Sequence, residues 1–486
     1  MNGLSNLNQL TKLPSDCWIC VLDCLSVVEL RQIALVSRGL SITVEPMLYR
    51  TISWNWDPVP IRPLLQLLQS ILRHPRRAFH VQHVRLMSNT LLDSATPWTA
   101  PSLNLNCIEE IANFPFVLQR TQAIIQEASF PDQHRWSQAL QEGNPYALVA
   151  ILLSQLHKLR SLHLDYSFVW LYGFPGLMLR HALFSAPQDS LSKFQSLTTV
   201  DYGGNVRRAP RESLSTVGIP KDYPACNPYQ FGAWFHLPSL RSLAIWLKTQ
   251  QEFLIPGVLS NITQLNTLII ARSTIQEDQV PSLLSETGSL RTLHLGMAYK
   301  CGHHIALTNG PAILQGLISV KHTLTKLSIG LEYYPPPFGD RFREIGEEEL
   351  RKPFHRFLKH FPRLTSVEVP VELLIGWDPE PSVDLTMVLP STLEQLCIRE
   401  ELVYLTPRDW RDYWTEKSLE DCLLENASRL QSHMPDLRQI RLRSWAPTER
   451  GNVRRVKQRL IVYTKFKQLG IQFDLVFDHM STGLWI

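Results

Sequence analysis

The stretch LRSLHL, at residues 159–164, sets the pattern on which the fold depends. Leucines at its first, fourth and sixth places have the spacing expected of a strand with one buried face. A leucine at places one and four with Leu or Ile at place six occurs in six segments, and chance would give about two or three. The related segments begin at Val81, Leu159, Leu197, Leu240, Leu265, Leu290, Leu324, Leu364, Leu393 and Leu437, with a last candidate near Phe473.

The segments between these predicted strands have the apolar content of helices, as in NPYALVAILLSQLHK at residues 144–158. A unit of one strand and one helix cannot bury its apolar face alone, so such units stack on their neighbours. This alternation resembles an irregular leucine-rich-repeat solenoid. The steps between first positions from Leu159 onward are 38, 43, 25, 25, 34, 40, 29 and 44 residues, and only three lie in the usual range of about 20–29. The resemblance implies a parallel sheet with long insertions and, because the repeat's asparagine appears only as Asn205, a poorly formed asparagine ladder.

The first 54 residues have a different pattern, with the periodicity of short helices. The apolar positions of the first predicted helix lie at i, i+3, i+4 and i+7: Trp18, Val21, Leu22 and Leu25. Ser26 and Glu29 have the spacing of a capping box, which predicts that a second helix begins there. Pro46 is predicted to end the segment that follows. Two or three helices of this size have too little core to be stable alone, so they must pack on the rest of the chain or on a partner.

The order of residues in this front segment resembles the F-box. The matching pieces are LPSD at 13–16, VLDCL at 21–25, EL at 29–30, LVSR at 35–38 and LYRTI at 48–52. F-box modules dock on the Skp adaptor of cullin–RING ubiquitin ligases through apolar side chains, so the resemblance implies an adaptor-binding surface. Carried over by position, the residues that would form or support it are Leu13, Pro14, Leu22, Leu25, Leu30, Leu35 and Val36. The alternative for any one of them is that it only holds the helices together.

The strand face that points away from the core is the predicted site for a target protein. Residues between the inward-pointing apolar ones face outward on a strand. The candidate target-binding residues are His163, Asp201, Trp246, His294, Glu368 and Arg441. The other members of this predicted outward row are Arg85, Ile269, Ser328 and Cys397. The long insertions at roughly 203–234 and 331–352 are further candidates, since binding often occurs on loops.

The cysteines are interpreted as structural rather than metal-binding. Cys17, Cys20 and Cys24 have a C-x2-C-x3-C spacing, but a structural zinc site normally needs four ligands and no second pair follows. They are predicted to be small apolar thiols on a buried helix face. The sequence Cys301-Gly-His303-His304 is interpreted as a loop, because three such close ligands do not readily meet one tetrahedral ion. No metal and no cofactor are therefore expected.

Composition narrows the class of protein. The chain has 486 residues, of which 44% are apolar and 19% charged, as expected for a globular protein, and its net charge of +4 favours no class of partner. It contains no run of about 18 apolar residues and no secretory signal, and its eight scattered cysteines indicate reduced thiols. We expect a cytoplasmic or nuclear protein without membrane contact. The basic stretch at 437–460 is more typical of a solvated helix end than of a nucleic-acid site.

The sequence has none of the signature motifs of nucleotide-binding loops, zinc proteases or α/β-hydrolases. We predict an α/β protein with a three-helix F-box at 11–52, a helical connector and cap at 53–80, and an irregular leucine-rich-repeat-like solenoid with a parallel sheet at 81–480. The predicted function is non-catalytic, as the substrate-recognition subunit of an SCF-type cullin–RING ubiquitin ligase that binds the Skp adaptor and an unidentified target protein. The alternatives are an adaptor-bound scaffold without degradation, and an enzyme with its site in the insertions.

Overall fold

The computed structural model describes most of the chain. The described residues are 15–88, 106–170, 173–187, 190–205, 227–247, 262–273, 275–300, 310–334, 357–375, 383–399, 416–444 and 453–477. They fall into two compact units, the first within residues 1–88, 103–164 and 177–198, and the second within 89–102, 165–176 and 199–486. Among the described helices, none is both long and apolar enough to cross a bilayer.

Helices and strands alternate along the chain. The described α-helices are α1 Ser15–Asp23, α2 Val27–Val36, α3 Arg38–Arg50, α4 Ile61–Arg73, α5 Asn106–Ala112, α6 Pro115–Glu127, α7 Gln133–Gln141, α8 Pro145–Ser154, α9 Ser167–Trp170, α10 Phe174–Phe184, α11 Gln279–Ser285, α12 Gly310–Val320, α13 Val371–Ile375, α14 Glu416–His433 and α15 Val453–Gln468. Short 3-10 helices lie at Pro75–His80, Pro228–Gln230, Gly232–His236, Ile262–Gln264, Leu358–His360 and Leu385–Met387. The strands are β1 Thr51–Asn55, β2 His83–Met87, β3 Ser161–Leu164, β4 Thr199–Tyr202, β5 Ser242–Ile245, β6 Thr267–Ser273, β7 Thr292–Lys300, β8 Lys326–Tyr334, β9 Ser366–Pro370, β10 Gln395–Arg399, β11 Gln439–Ser444 and β12 Gln472–Phe477.

The strands pair in parallel and in chain order within each unit. In the first unit β1 pairs with β2 and β2 with β3. In the second unit each strand from β4 to β12 pairs with the next. The predicted α/β fold with a parallel sheet is therefore confirmed. Each segment predicted from the repeated leucine pattern is a strand, from β2 to β12.

The leucine pattern places the buried face of the sheet as predicted. In β3, Leu162 and Leu164 are buried while Ser161 and His163 alternate with them and are partly exposed. The register keeps this alternation aligned from strand to strand, since Leu268 lies opposite Leu293 and Leu293 opposite Leu327. A continuous band of apolar side chains results, and burying it is the main favourable contribution to folding.

The predicted repeat asparagine makes the contacts that stabilise successive turns. The Asn205 side-chain oxygen accepts a hydrogen bond from the backbone N–H of Tyr166 at 2.8 Å, and its amide nitrogen donates to Asp165 Oδ2 at 2.7 Å. Asn205 thus joins the turn that precedes α9 to the turn that follows β4.

Two local features differ from the sequence prediction. Strand β1 was not predicted, because residues 51–55 do not have the leucine spacing of the later strands. The prediction that Pro46 ends its segment is wrong, since α3 continues through Pro46 to Arg50. Packing of Met47 and Leu48, which follow the proline, on the helical core compensates for the hydrogen bond that its missing N–H cannot make.

The centre of the first unit is α8, all of whose side chains are buried. Asn144 caps this helix, because its side-chain oxygen accepts hydrogen bonds from the backbone N–H groups of Tyr146 at 3.0 Å and Ala147 at 3.2 Å. The cap matters more here than at a helix exposed to water, since buried donors that lose their partner have no solvent to replace it.

We expect Asn144→Ala to lower the free energy of unfolding by about 1–2 kcal/mol, because two buried N–H groups lose their acceptor. Asn144→Ser is the matched control, since serine keeps an oxygen at the capping position and should cost clearly less. Urea denaturation of the full chain, followed by circular dichroism, measures both. Equal losses in the two variants would contradict the capping role.

Candidate protein-binding surfaces

The three N-terminal helices are held together by a small apolar core. Leu22 of α1, Leu30 of α2 and Val44 of α3 are buried in it. The partly buried side chains that pack against these three are Trp18, Leu25, Ile33, Met47 and Leu48. Few side chains are therefore committed to the interior of this module.

The predicted capping box starts α2 and is confirmed. The backbone N–H of Glu29 donates to Ser26 Oγ at 3.3 Å, and the backbone N–H of Ser26 donates to Glu29 Oε2 at 2.7 Å. The hydrogen bonds from Ser26 also hold the pKa of the Glu29 carboxyl below its usual value, the side-chain bond more than the backbone one. Ser37 then ends α2 and caps α3 by accepting from the N–H of Leu40 at 3.2 Å. One residue thus serves both helices, which fixes the tight turn between them.

The predicted adaptor-binding residues divide into buried and exposed sets. Leu22 and Leu30 lie inside the helical core and Leu25 is partly buried against it, so these three mainly hold the helices together. Leu35 is 87% exposed and Val36 is 57% exposed, which leaves both available to a partner. The remaining two predicted residues, Leu13 and Pro14, lie outside the described residues.

The helical module exposes more large apolar side chains than it buries. The exposed ones among the described residues are Ile19, Val21, Val27, Val28, Leu35, Val36 and Ile42. Val21 belongs to the apolar helix face predicted from the i, i+3, i+4, i+7 spacing, and it is 43% exposed. Concentrations of exposed apolar side chains of this kind mark protein-interaction sites more often than they occur by chance.

The third helix is fixed to the start of the sheet. Helix α3 ends at Arg50 and β1 begins at Thr51, with no intervening loop. Tyr49 shares a hydrogen bond of 2.7 Å with Ser70 of α4, and Arg77 pairs with Glu45 at 2.6 Å and donates to Ser70 at 2.7 Å. These contacts tie one face of α3 to α4 and to the 3-10 helix that follows it. A partner bound to the N-terminal module would therefore be held at a defined position relative to β1 and β2.

The three clustered cysteines are not on a buried face. Cys17, Cys20 and Cys24 are exposed free thiols, so the prediction of buried thiols is wrong. Cys17 and Cys20 lie on the exposed side of α1, and Cys24 lies just after its last residue, Asp23. Within the described part of the chain, no group of three metal-ligating side chains converges. The Cys301–His304 segment lies outside the described residues.

The register of the strands shows which residues share the outward face of the sheet. In the first unit Ser53, Arg85 and His163 lie side by side. In the second unit the corresponding row is Asp201, Ala244, Ile269, His294, Ser328, Glu368, Cys397, Arg441 and Asp474. Five of the six candidate target-binding residues thus lie on this face.

Trp246, the sixth, lies elsewhere. Ala244 occupies the outward position of β5, and Trp246 follows the end of that strand and is buried. Its ring packs edge-on to Tyr166, with centroids 5.6 Å apart, and against Phe231 at 6.0 Å. The predicted outward position of β5 was therefore two residues too far along the chain, at Trp246 instead of Ala244. Trp246 packs in the core and not on the outward face.

The other predicted residues differ in accessibility. His294 is 1% exposed, and its Nδ1 lies 2.8 Å from Ser328 Oγ, so it is a packed member of the row and does not face solvent. Asp201 accepts a hydrogen bond from the Gly204 N–H at 2.9 Å, which stabilises the turn after β4. His163 is partly exposed. Burial lowers the pKa of the neighbouring His83, and the proximity of Arg50, Arg160 and His163 acts in the same direction. The two predicted insertions lie mostly outside the described residues.

Glu368 is the centre of an ionic cluster on β9–β11. Its Oε1 accepts from Nη1 of Arg399 at 2.5 Å and from Nη1 of Arg443 at 2.5 Å. The side chains of Arg399, Arg443 and Glu368 are 0%, 11% and 17% exposed, so these contacts are largely screened from water. The sequence pattern predicted Glu368 on the outward face but missed its partner Arg399. A rule that places residues two apart on the same face of a strand would have found Arg399 from Cys397.

Cys397 lies between these charges. Burial raises the pKa of its thiol to about 12, and Glu368 acts in the same direction, against the nearby Arg443, Arg399 and Arg441. The thiol is therefore neutral at physiological pH and is a poor nucleophile, because the thiolate is the reactive form.

Comparison with known proteins identifies the N-terminal module. Residues 10–46 match the family model of the F-box domain, which covers α1, α2 and α3 as far as Pro46. No curated protein matches the chain. The resemblance to the F-box in the front segment is thus confirmed. F-box domains bind the Skp adaptor in SCF-type ubiquitin ligases, which supports a general role in such a ligase.

We expect Glu368→Gln to lower the free energy of unfolding by about 3–5 kcal/mol, because it removes the carboxylate that the largely buried guanidinium groups of Arg399 and Arg443 share. Glu127→Gln is the matched control, since Glu127 pairs with Arg120 on an exposed helix surface and should cost less than about 1 kcal/mol. Urea denaturation of the two variants measures the difference. Similar losses would show that the cluster contributes no more than a surface ion pair.

Proposed function

We propose that this chain is the target-recognition subunit of an SCF-type ubiquitin ligase. The F-box domain would dock on the Skp adaptor, and the outward face of the parallel sheet would hold a target protein. The observation that carries the proposal is the F-box domain at residues 10–46, whose helices expose a set of large apolar side chains around a core of three fully buried ones. Concentrations of exposed apolar side chains of this kind mark sites where a partner protein binds.

The direct connection from α3 to β1 supports the same role. A subunit that acts by holding a target near a ubiquitin-conjugating enzyme gains rate from positioning, which requires a rigid path between its two binding regions. The contacts of Tyr49 and Arg77 with α4 and the neighbouring 3-10 helix supply rigidity at the F-box end of that path. In this proposal the chain itself carries out no chemistry, and it works in the cytoplasm or nucleus, where the ligase operates.

We expect the double variant Leu35→Asp with Val36→Asp to lose the Skp adaptor. Burying each native side chain in an interface contributes about 1.5–3 kcal/mol, and an unpaired carboxylate in its place adds a desolvation penalty. Both residues are exposed in the free chain, so the variant should keep its thermal midpoint. Co-purification of the full chain with the adaptor measures the loss.

Leu460→Asp with Ile461→Asp provides the control. These adjacent residues of α15 are 61% and 57% exposed, so the substitution has the same chemistry on a helix outside the F-box. The control should bind the adaptor as the wild type does. A wild-type chain that does not co-purify with the adaptor, or a Leu35 and Val36 variant that still does, would overturn the proposal.

Whether a bound target is degraded is measured separately, from its half-life in cells. Proteins that cross-link to the wild-type chain in cells should have longer half-lives when only the Leu35 and Val36 variant is present. Unchanged half-lives of those proteins, with adaptor binding intact in the wild type, would favour an adaptor-bound scaffold instead.

A further inference from the structure

Three exposed cysteines lie in and just after α1 of the F-box domain. Cys17, Cys20 and Cys24 are free thiols open to solvent, whereas the other two cysteines with described side chains, Cys397 and Cys422, are buried. Burial raises the pKa of the Cys397 thiol to about 12 and that of Cys422 to about 11. Because the thiolate is the reactive form, the three N-terminal thiols are the described ones best placed for thiol chemistry.

Helix geometry decides which of the N-terminal thiols can pair. A rise of 1.5 Å per residue puts the Cα atoms of Cys17 and Cys20 about 5 Å apart. Cys24 continues the last turn, since its N–H donates to the carbonyl of Val21 at 3.2 Å, and its Cα lies about 6 Å from that of Cys20. Both separations lie within the range of about 4.4–6.8 Å found across disulfides, whereas Cys17 and Cys24 are about 10 Å apart. Cys20 is therefore common to both possible pairs.

Neither pair can close while α1 keeps its helical geometry. Side chains three or four residues apart on a helix have Cβ atoms about 5–6 Å apart, and a disulfide needs about 3.5–4.5 Å. Closure must therefore distort the backbone between the two cysteines. Trp18, which packs on the helical core, lies between Cys17 and Cys20. The buried Leu22 lies between Cys20 and Cys24, so either disulfide would displace a side chain that holds α1 in place.

The attachment of α1 is weak enough for such a displacement to release it. Leu22 is the α1 side chain among the three fully buried members of the helical core, and Trp18 is only partly buried against them. The ion pair between Asp23 and Arg50, at 3.1 Å, is about half exposed on both sides and contributes little. Among the described residues, few contacts therefore oppose a covalent bond that distorts α1.

We propose that the N-terminal thiols form a reversible redox switch, in which Cys20 closes a disulfide with Cys17 or Cys24 and detaches α1 from the helical core. The oxidant is a low-molecular-weight disulfide of the glutathione class. One thiolate of the pair attacks a sulfur of that disulfide, whose S–S bond breaks and releases one small thiol. The second thiolate then attacks the mixed disulfide, forms the protein S–S bond and releases the second small thiol. Two electrons and two protons thus pass from the chain to the oxidant, and excess small thiol reverses both steps.

The switch controls adaptor binding, and this part of the inference rests on the proposed function. Helix α1 carries Ile19 and Val21, two of the exposed apolar side chains of the F-box domain. A bound adaptor would in turn hold α1 helical and keep the thiols apart, because the coupling of binding and closure is reciprocal. In the proposed cytoplasmic or nuclear setting, disulfides are typically transient and serve in redox sensing, which agrees with a reversible bond.

The experiment uses the full chain, titrated with mixtures of reduced and oxidised glutathione. Mass spectrometry after blocking of free thiols with N-ethylmaleimide counts the thiols lost and shows which cysteines remain free. The wild type should lose two thiols to a bond that contains Cys20, with no glutathione retained. The oxidised chain should bind the Skp adaptor at least about tenfold more weakly than the reduced chain, and dithiothreitol should restore binding.

Serine variants separate the shared thiol from the other two. Cys20→Ser should form no disulfide and should keep adaptor binding throughout the titration. Cys17→Ser and Cys24→Ser are the matched controls, since each leaves one pair intact and should still respond. The double variant Cys17→Ser with Cys24→Ser should behave as Cys20→Ser does. All three side chains are exposed, so the reduced variants should keep the wild-type thermal midpoint.

Several outcomes would overturn the inference. A disulfide that excludes Cys20, a reaction that stops at the glutathione adduct, or oxidation of Cys20→Ser like the wild type would each refute the geometry. A wild-type disulfide that leaves adaptor binding unchanged would refute the switch. If the reduced wild type binds no adaptor, the proposed function fails, and the switch is judged on the free chain. There the disulfide should speed amide exchange in α1 at least about tenfold, and unchanged exchange would refute it.

Discussion

The backbone of a parallel strand can satisfy its hydrogen bonds only through neighbouring strands, and this requirement organises the molecule. Each described strand from β4 to β12 pairs with the next one in the chain, so the backbone hydrogen bonds of each strand are completed by the strand that follows it. Once pairing is fixed, the register is fixed too, because a slip of one residue would turn the leucines outward. The aligned rows on the outer face, including Glu368, Cys397 and Arg441, are therefore a by-product of the alignment of the leucines on the inner face.

The F-box domain follows different rules. It has three fully buried apolar residues, and the tight turns at Ser26 and Ser37 depend on side-chain caps more than on packing. The sheet uses its apolar residues for its own stability, whereas the F-box leaves most of its large ones exposed. The sheet thus buries its own apolar residues, whereas the F-box domain exposes apolar side chains suited to binding a partner.

Sequence patterns predicted the strands well because the period of a half-buried strand depends only on the order of residues. They predicted the surfaces less well, for reasons that particular residues show. Leu22 and Leu35 are both leucines at F-box positions, yet one is buried and the other exposed, and only the packing of three helices distinguishes them. The error at Trp246 arose from extending the alternation beyond the end of β5. The contact of Arg399 with Glu368 was not predicted, because the two residues lie 31 apart in the chain and only the pairing of β9 with β10 brings them together.

The anchoring of α3 affects how the chain behaves before it binds its partner. Helix α3 is continuous with β1 and contacts α4. Among the described residues, α1 and α2 are held by the small core and by an exposed ion pair between Asp23 and Arg50. Opening α1 and α2 therefore costs much less free energy than opening the sheet, and their amides should exchange with solvent fastest. An unassembled chain presents these two helices to proteases and chaperones, while an assembled one does not. Its abundance in the cell would then follow the supply of its partner.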